Sequence, residues 1–269
     1  MNAWTLIHFK QLIPTLLVLF LLSILAAKLL EGCSQQTKYI PLKVISVLLL
    51  ALEVAKQIKS VSADGVYDLF SLPFHYCSLF LLLLPLHAFY HGKHRHIASA
   101  ATLSSLGALA VLMLLMPAVI YSDVSVQNFF VTFIDFHTVV FHSLCILYLM
   151  LTIALKLYEF KNTGKELVSI GVFLAIYLVI ATFFAYSLEV NFHNLYRCNI
   201  IFIDEIRLAV IEKAGVWGTV LYVGALSVLT ILFTYATYFL IKLGVRPLER
   251  HKNPAPDTDE MQIKEKHLV

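Results

Sequence analysis

The stretch LPFHYC, residues 72–77, puts a histidine (His75) and a cysteine (Cys77) at the mouth of an apolar run over 79–84. A thiol becomes a good nucleophile once deprotonated, and a neighbouring imidazole is the usual base. His75 and Cys77 are two residues apart, about 200° around a helix, so within one helix they do not face each other. A base for Cys77 must therefore come from another element. The segment FIDFHTVVFH, residues 133–142, offers Asp135, His137 and His142, and Glu53 and Asn191 add a carboxylate and an amide. Nucleophile, base, orienting carboxylate and oxyanion donor are the parts of covalent catalysis.

The elements that must position these groups follow from composition. The 269 residues are 59% hydrophobic and 14% charged, with a mean hydropathy of +0.81. A soluble domain is about half apolar and a quarter charged, so lipid is the solvent for most of this chain. A net charge of +3 with basic residues scattered over short loops excludes nucleic acid as a partner. A bilayer core needs roughly 20 apolar residues in a helix. Seven runs qualify: 12–30, 41–59, 69–90, 97–120, 128–157, 166–190 and 216–243. Because hydrocarbon leaves no partner for bare backbone, the expected fold class is all-α, a seven-helix transmembrane domain over 1–245. Pro14, Pro41, Pro73, Pro85 and Pro117 lie near span ends, where proline is tolerated. No cleavable signal peptide is expected, and 246–269 reads as a polar tail without structure.

Orientation follows from the basic residues. Of the 20 Lys and Arg, 14 fall on one side, including Lys28, Lys93, Arg95 and Lys161; the other side holds Lys10, Lys56, Lys59, Arg197, Arg207 and Lys213. The N-terminus is expected outside and the C-terminus in the cytoplasm. The segment 200–213 is too charged to cross. It reads either as an interfacial helix on the outer surface or as a loop helix packed on the bundle.

Counting inward at about 1.5 Å per residue puts Glu53 and His75 roughly 9 Å below the outer ends of their spans, Cys77 about 12 Å, Asp135 and His137 about 10 and 13 Å, and His142 about 21 Å. Intramembrane ionisable groups are costly and mark functional sites. The expectation is a polar pocket in the outer half of the bundle, with Cys77 and His137 as nucleophile and base and with His75, Glu53, Asp135 and Asn191 in support. Structural alternatives stand beside it. Glu53 can pair with Lys56 at i+3 or Gln57 at i+4, His75 can bond a carbonyl between helices, and Cys77 can be a small buried hydrophobe, as Cys145 and Cys33 are read. A disulfide between Cys77 and Cys198 would need a loop dipping into the membrane. His87, His91, His94 and His96 cluster at the inner end of the third run. Lys93 and Arg95 beside them disfavour a metal, which leaves headgroup contact.

Leu72, Pro73, His75 and Cys77, a Glu in the second run, the His-bearing fifth run and Asn191-Phe192 closing the sixth together resemble the YwaF-like family of integral membrane proteins. The resemblance covers roughly 40–240. Its animal relatives include a transmembrane acyltransferase that moves fatty acyl chains between phospholipids with a cysteine and a histidine. The resemblance implies acyl transfer on phospholipids or lysophospholipids through a thioester on Cys77 with His137 as base, no cofactor, membrane lipids as partners, and a multi-pass home in a bacterial plasma membrane, or an intracellular membrane in a eukaryote. The rival readings are a proton-coupled transporter and a non-catalytic seven-helix protein.

Overall fold

The computed structural model describes residues 4–61, 65–121, 123–198 and 201–250. Among them the chain is helical, with no strand beyond one bridge between Val61 and Tyr67. In order the helices are α1 (Leu6–Leu29), α2 (Gln35–Lys38), α3 (Ile40–Lys59), α4 (Phe80–Phe89), α5 (Arg95–Leu115), α6 (Pro117–Ile120), α7 (Asp123–Gln127), α8 (Phe133–Ala154), α9 (Thr163–Ser187), α10 (Ile201–Ala214) and α11 (Val216–Arg250).

Five helices are long and apolar enough to cross a membrane: α1, α5, α8, α9 and α11 as far as Arg246. The other two apolar runs behave differently. Helix α3 is 20 residues long but carries Glu53, Lys56 and Lys59 in its last two turns. The run 69–90 is no continuous helix. Two 3-10 turns, Leu69–Ser71 and Tyr76–Leu79, lead into α4, which has only ten residues. The cause is Pro73. It has no N–H to donate, and its ring forces Leu72 into the extended region, at φ −59° and ψ 145°. The same effect cuts the fourth run. Met116 before Pro117 adopts φ −141° and ψ 65°, ending α5 and starting α6. Pro14 and Pro85, expected near span ends, sit inside α1 and α4. The charged segment 200–213 does form a helix, α10. It packs on α11, while Ile203 and Ile206 of its apolar stripe stay exposed. The tail beyond Arg250 lies outside the described residues.

Helix α5 is the centre of the bundle, in contact with α4, α8, α9 and α11. Its sequence explains this. Ala98, Ser99, Ala100, Ala101, Ser104, Ser105 and Ala108 present a buried surface of small side chains, which lets neighbouring backbones approach closely. A Cβ on Gly107 would come within 2.6 Å of the Ile241 side chain. Hydroxyls fasten the contacts: Thr237 donates to the Ser104 carbonyl at 2.7 Å and Thr102 to the Leu83 carbonyl at 3.0 Å.

At the end opposite to Pro73 two buried polar groups tie the helices together. His87 shares a 2.9 Å hydrogen bond with the Tyr148 hydroxyl and donates from Nε2 to the Leu157 carbonyl at 3.2 Å. It is fully buried, so His87 is interhelical glue and not the headgroup contact expected of it. Glu166, also fully buried, accepts from the Lys161 and Asn162 amides at 2.7 and 2.9 Å and from the Tyr238 hydroxyl at 2.6 Å. It both caps α9 and joins it to α11. Replacing Glu166 by Leu orphans three donors at once and should lower stability by about 3 kcal/mol; thermal unfolding of the detergent-solubilised protein measures the loss.

Candidate functional site

The break at Pro73 creates the site. Residues 69–79 carry backbone groups that no α-helix satisfies, so side chains from two helices, α3 and α9, reach in. The Gln57 amide, one turn from the end of α3, donates to the Ser71 carbonyl at 2.8 Å and to Glu53 Oε1 at 2.5 Å, and its own carbonyl accepts from the Tyr67 hydroxyl. His75 donates from Nε2 back to the Phe70 carbonyl at 2.9 Å. The Tyr177 hydroxyl, from α9, donates to the His75 carbonyl at 2.5 Å.

Glu53 anchors the charges. It is buried, with its carboxylate 2.7 Å from Lys56 Nζ and 3.4 Å from His137 Nε2 on α8. Glu53 makes the expected local pairing with Lys56 and Gln57, and the same carboxylate also faces His137. The 3.4 Å approach to His137 is an ion-pair distance without hydrogen-bond geometry, and His137 Nε2 is otherwise a buried nitrogen with no hydrogen-bond partner. Such an atom is costly unless something pairs with it.

Cys77 lies on the second 3-10 turn, half-buried and packed against the main core. No hydrogen bond joins Cys77 to His137 among the described residues. Because Cys77 stands on a turn before α4 and not inside a helix, the 200° separation expected between it and His75 does not govern their directions. Cys145 is fully buried and Cys33 exposed.

Three residues stand apart from this cluster. Asp135 is committed to the start of α8, where its carboxylate accepts from the Thr132 hydroxyl at 2.6 Å while Thr132 Oγ1 accepts from the Asp135 amide. Asn191 accepts from the Arg197 amide at 3.1 Å within its own loop. His142 donates from Nδ1 to the Thr138 carbonyl one turn back, 2.7 Å away, and meets the Tyr121 ring edge-on. Sequence reasoning took Lys56 only as a neutralising partner for Glu53 and passed over Gln57, Tyr67 and Tyr177 as site residues. The i, i+3, i+4 spacing of Glu53, Lys56 and Gln57 was a readable signal for the first two; Tyr67 and Tyr177 had none.

An open cleft of about 350 Å³ lies beside the cluster, lined by Lys59, Ser60, Val66, Tyr67, Asp68 and Ile134. It shares Tyr67 with the Gln57 network and does not include Cys77. Among the described residues no group of three or more His, Cys, Asp or Glu side chains could hold a metal ion.

The family model of the TMEM164 family, a family of transmembrane proteins, matches residues 3–241 of the chain. No curated protein and no solved structure matches it.

Removing one partner from a buried ion pair leaves the other charge uncompensated, at a cost of about 3–5 kcal/mol. Glu53→Met should therefore destabilise the protein by roughly that amount, and Glu53→Met combined with Lys56→Met should be markedly more stable than Glu53→Met alone. A double-mutant cycle read by thermal unfolding in detergent checks this; additive losses would mean that the two side chains do not act as a pair.

Proposed function

The chain belongs to the TMEM164 family, and we propose that it is a membrane-embedded acyltransferase acting on phospholipid or lysophospholipid acyl chains through a thioester on Cys77. The observation that carries this reading is the charged group beside the broken segment that bears Cys77: α3, whose Gln57 bonds the Ser71 carbonyl, also carries Glu53, which pairs with Lys56 at 2.7 Å and stands 3.4 Å from His137, whose Nε2 has no hydrogen-bond partner. A thiolate in a lipid-facing bundle needs such help, because burial disfavours the charged form.

In this reading His137 takes the proton from Cys77, and Glu53 and Lys56 stabilise the imidazolium and the thiolate respectively. Their separation closes when substrate arrives, since catalytic hydrogen bonds are often long in the free enzyme. The sulfur attacks the ester carbonyl of a donor phospholipid, the C–O bond breaks, and the departing lysolipid oxygen takes the proton from His137. The acceptor hydroxyl then gives its proton to His137 and attacks the thioester, the C–S bond breaks, and the thiol is restored. No cofactor takes part. Asp135 and Asn191, proposed at first as supporting groups, have the weaker case, because each is occupied by its own segment.

The site reading goes with a topology: seven membrane segments, α3 and the 69–90 segment joining the five long helices, with the N-terminus outside and the C-terminal tail in the cytoplasm. By the family resemblance the membrane is a bacterial plasma membrane, or an intracellular membrane in a eukaryote. A second reading draws on the same buried Glu53–Lys56–His137 group. Ionisable residues of this kind also serve proton-coupled carriers.

The deciding experiment is lipid profiling of cells that lack the protein and cells that overproduce it, beside a Cys77→Ala version. The acyltransferase reading predicts that Cys77→Ala returns the profile to that of the deletion and that Cys77→Ser loses most activity while the protein still inserts. A Cys77→Ala profile identical to the overproduced wild type rejects it and favours the carrier. For topology, a cysteine substituted at Lys252 should resist membrane-impermeant thiol reagents in intact cells, and its labelling from outside would reverse the assignment.

A further inference from the structure

Beyond Glu53 and His137, a second element grips the Cys77 turn. The loop after α9 folds back into the bundle, burying Phe192 and Leu195 completely. From this loop and the end of α9, the three residues preceding Cys77 are each held in turn. Phe74 stacks on Phe184, ring centroids 4.2 Å apart and planes within 15°, and meets Phe192 edge-on at 5.4 Å. His75 meets the Phe192 ring at 5.4 Å and gives its carbonyl to Tyr177. Tyr76 lies nearly parallel to the His193 ring, with centroids 5.5 Å apart and an interplanar angle of 24°.

His193 reaches that position at a conformational cost. Its backbone is left-handed, φ 52°, and so is that of Asn194, φ 58°. Asparagine tolerates this region better than most residues, and histidine is enriched there too, but such conformations persist only where the surroundings over-determine them, and they gather at functional sites. Here the surroundings do so. The Tyr222 hydroxyl donates to the Asn194 carbonyl at 2.5 Å and Tyr186 to the Leu195 carbonyl at 3.2 Å. The ring itself is also pinned. Thr230 donates its hydroxyl to the Leu226 carbonyl, so its oxygen is left to accept the 3.2 Å bond from His193 Nε2–H. That bond fixes the tautomer and the ring plane against Tyr76.

We propose that His193 is a positioning residue for Cys77: it holds the Tyr76 ring, and through it the 3-10 turn Tyr76–Leu79 that carries the thiol, in register with Lys56 and Glu53. This assignment rests on the reading of Cys77 as the nucleophile. It gives the strained loop a task that packing alone does not require, since Phe192 and Leu195 already bury the loop.

The test uses the full chain in detergent, with Cys33, Cys145 and Cys198 replaced by alanine so that only Cys77 reacts. Two rates are measured: alkylation of Cys77 by an iodoacetamide probe, and transfer of a labelled acyl chain from a phospholipid to a lysophospholipid. Misplacing a reacting group by about 1 Å costs on the order of 100-fold in rate. His193→Ala should lower kcat by about that factor with little change in KM, and should slow alkylation. His193→Phe, which keeps a ring against Tyr76, should recover most of both. Tyr76→Leu breaks the same stack from the other side and should reproduce the alanine phenotype; it decides the matter if His193→Ala fails to fold. Wild-type alkylation and kcat in the folded alanine or Tyr76→Leu variant, or a phenylalanine variant no better than alanine, overturns the proposal. If Cys77→Ala retains full acyl transfer, the reading of Cys77 as the nucleophile fails, and the alkylation rates of the variants that keep Cys77 still decide whether His193 positions it.

Discussion

A proline inside an apolar segment sets the problem that the rest of this bundle solves. From Leu69 to Leu79 the chain has no α-helix of its own, and hydrocarbon provides no hydrogen bonds. Irregular backbone of this kind is tolerated only when protein surrounds it and satisfies it. Gln57 on α3, Tyr177 on α9 and the His75 ring do so, covering the carbonyls of Ser71, His75 and Phe70. The polar side chains near the turn are therefore first of all its scaffolding, and the break at Pro73 is what leaves Cys77 on a turn before α4.

The scaffolding brings charge with it. Gln57 bonds Glu53 as well as Ser71, Glu53 binds Lys56, and His137 of α8 comes to the far oxygen of the same carboxylate. A buried pair of this sort contributes little net stability compared with apolar replacements, because desolvating both ions offsets their attraction. The aromatic grip from the other side, Phe184, Phe192 and His193, adds a rigid wall without further charge.

Close packing elsewhere makes this arrangement possible. The small residues of α5 let α4, α9 and α11 crowd around it. Glu166 and His87 lock the opposite end with fully used hydrogen-bonding groups.

The apolar runs were legible in the sequence because the bilayer imposes one length on every helix that crosses it. The run 41–59 matches α3 within a residue; α5, α8, α9 and α11 overlap 97–120, 128–157, 166–190 and 216–243 with ends shifted by up to seven residues, and the charged helix α10 falls between the last two. The depths counted for His75 and Cys77 assume a continuous helix from Leu69, and the break at Pro73 removes that basis. Direction was not legible either. Helical phase says which residues share a face only while the helix continues, and Pro73 ends it, so the surroundings of His75 and Cys77 had no local code. Asp135 looked like a pocket residue by depth, yet Thr132 three residues earlier turned it into a cap. Lys56 could be read as a partner of Glu53 from their spacing. The contribution of His193 could not be read at all. It depends on a loop that doubles back after α9, on Tyr222 and Thr230 of α11 holding that loop, and on Tyr76 lying more than a hundred residues away in the chain. The sequence by itself determined most of the segments that are helices, because hydrocarbon leaves an apolar run no other way to satisfy its backbone; which polar groups meet was decided only by packing, because side chains from separate helices must converge on one broken turn.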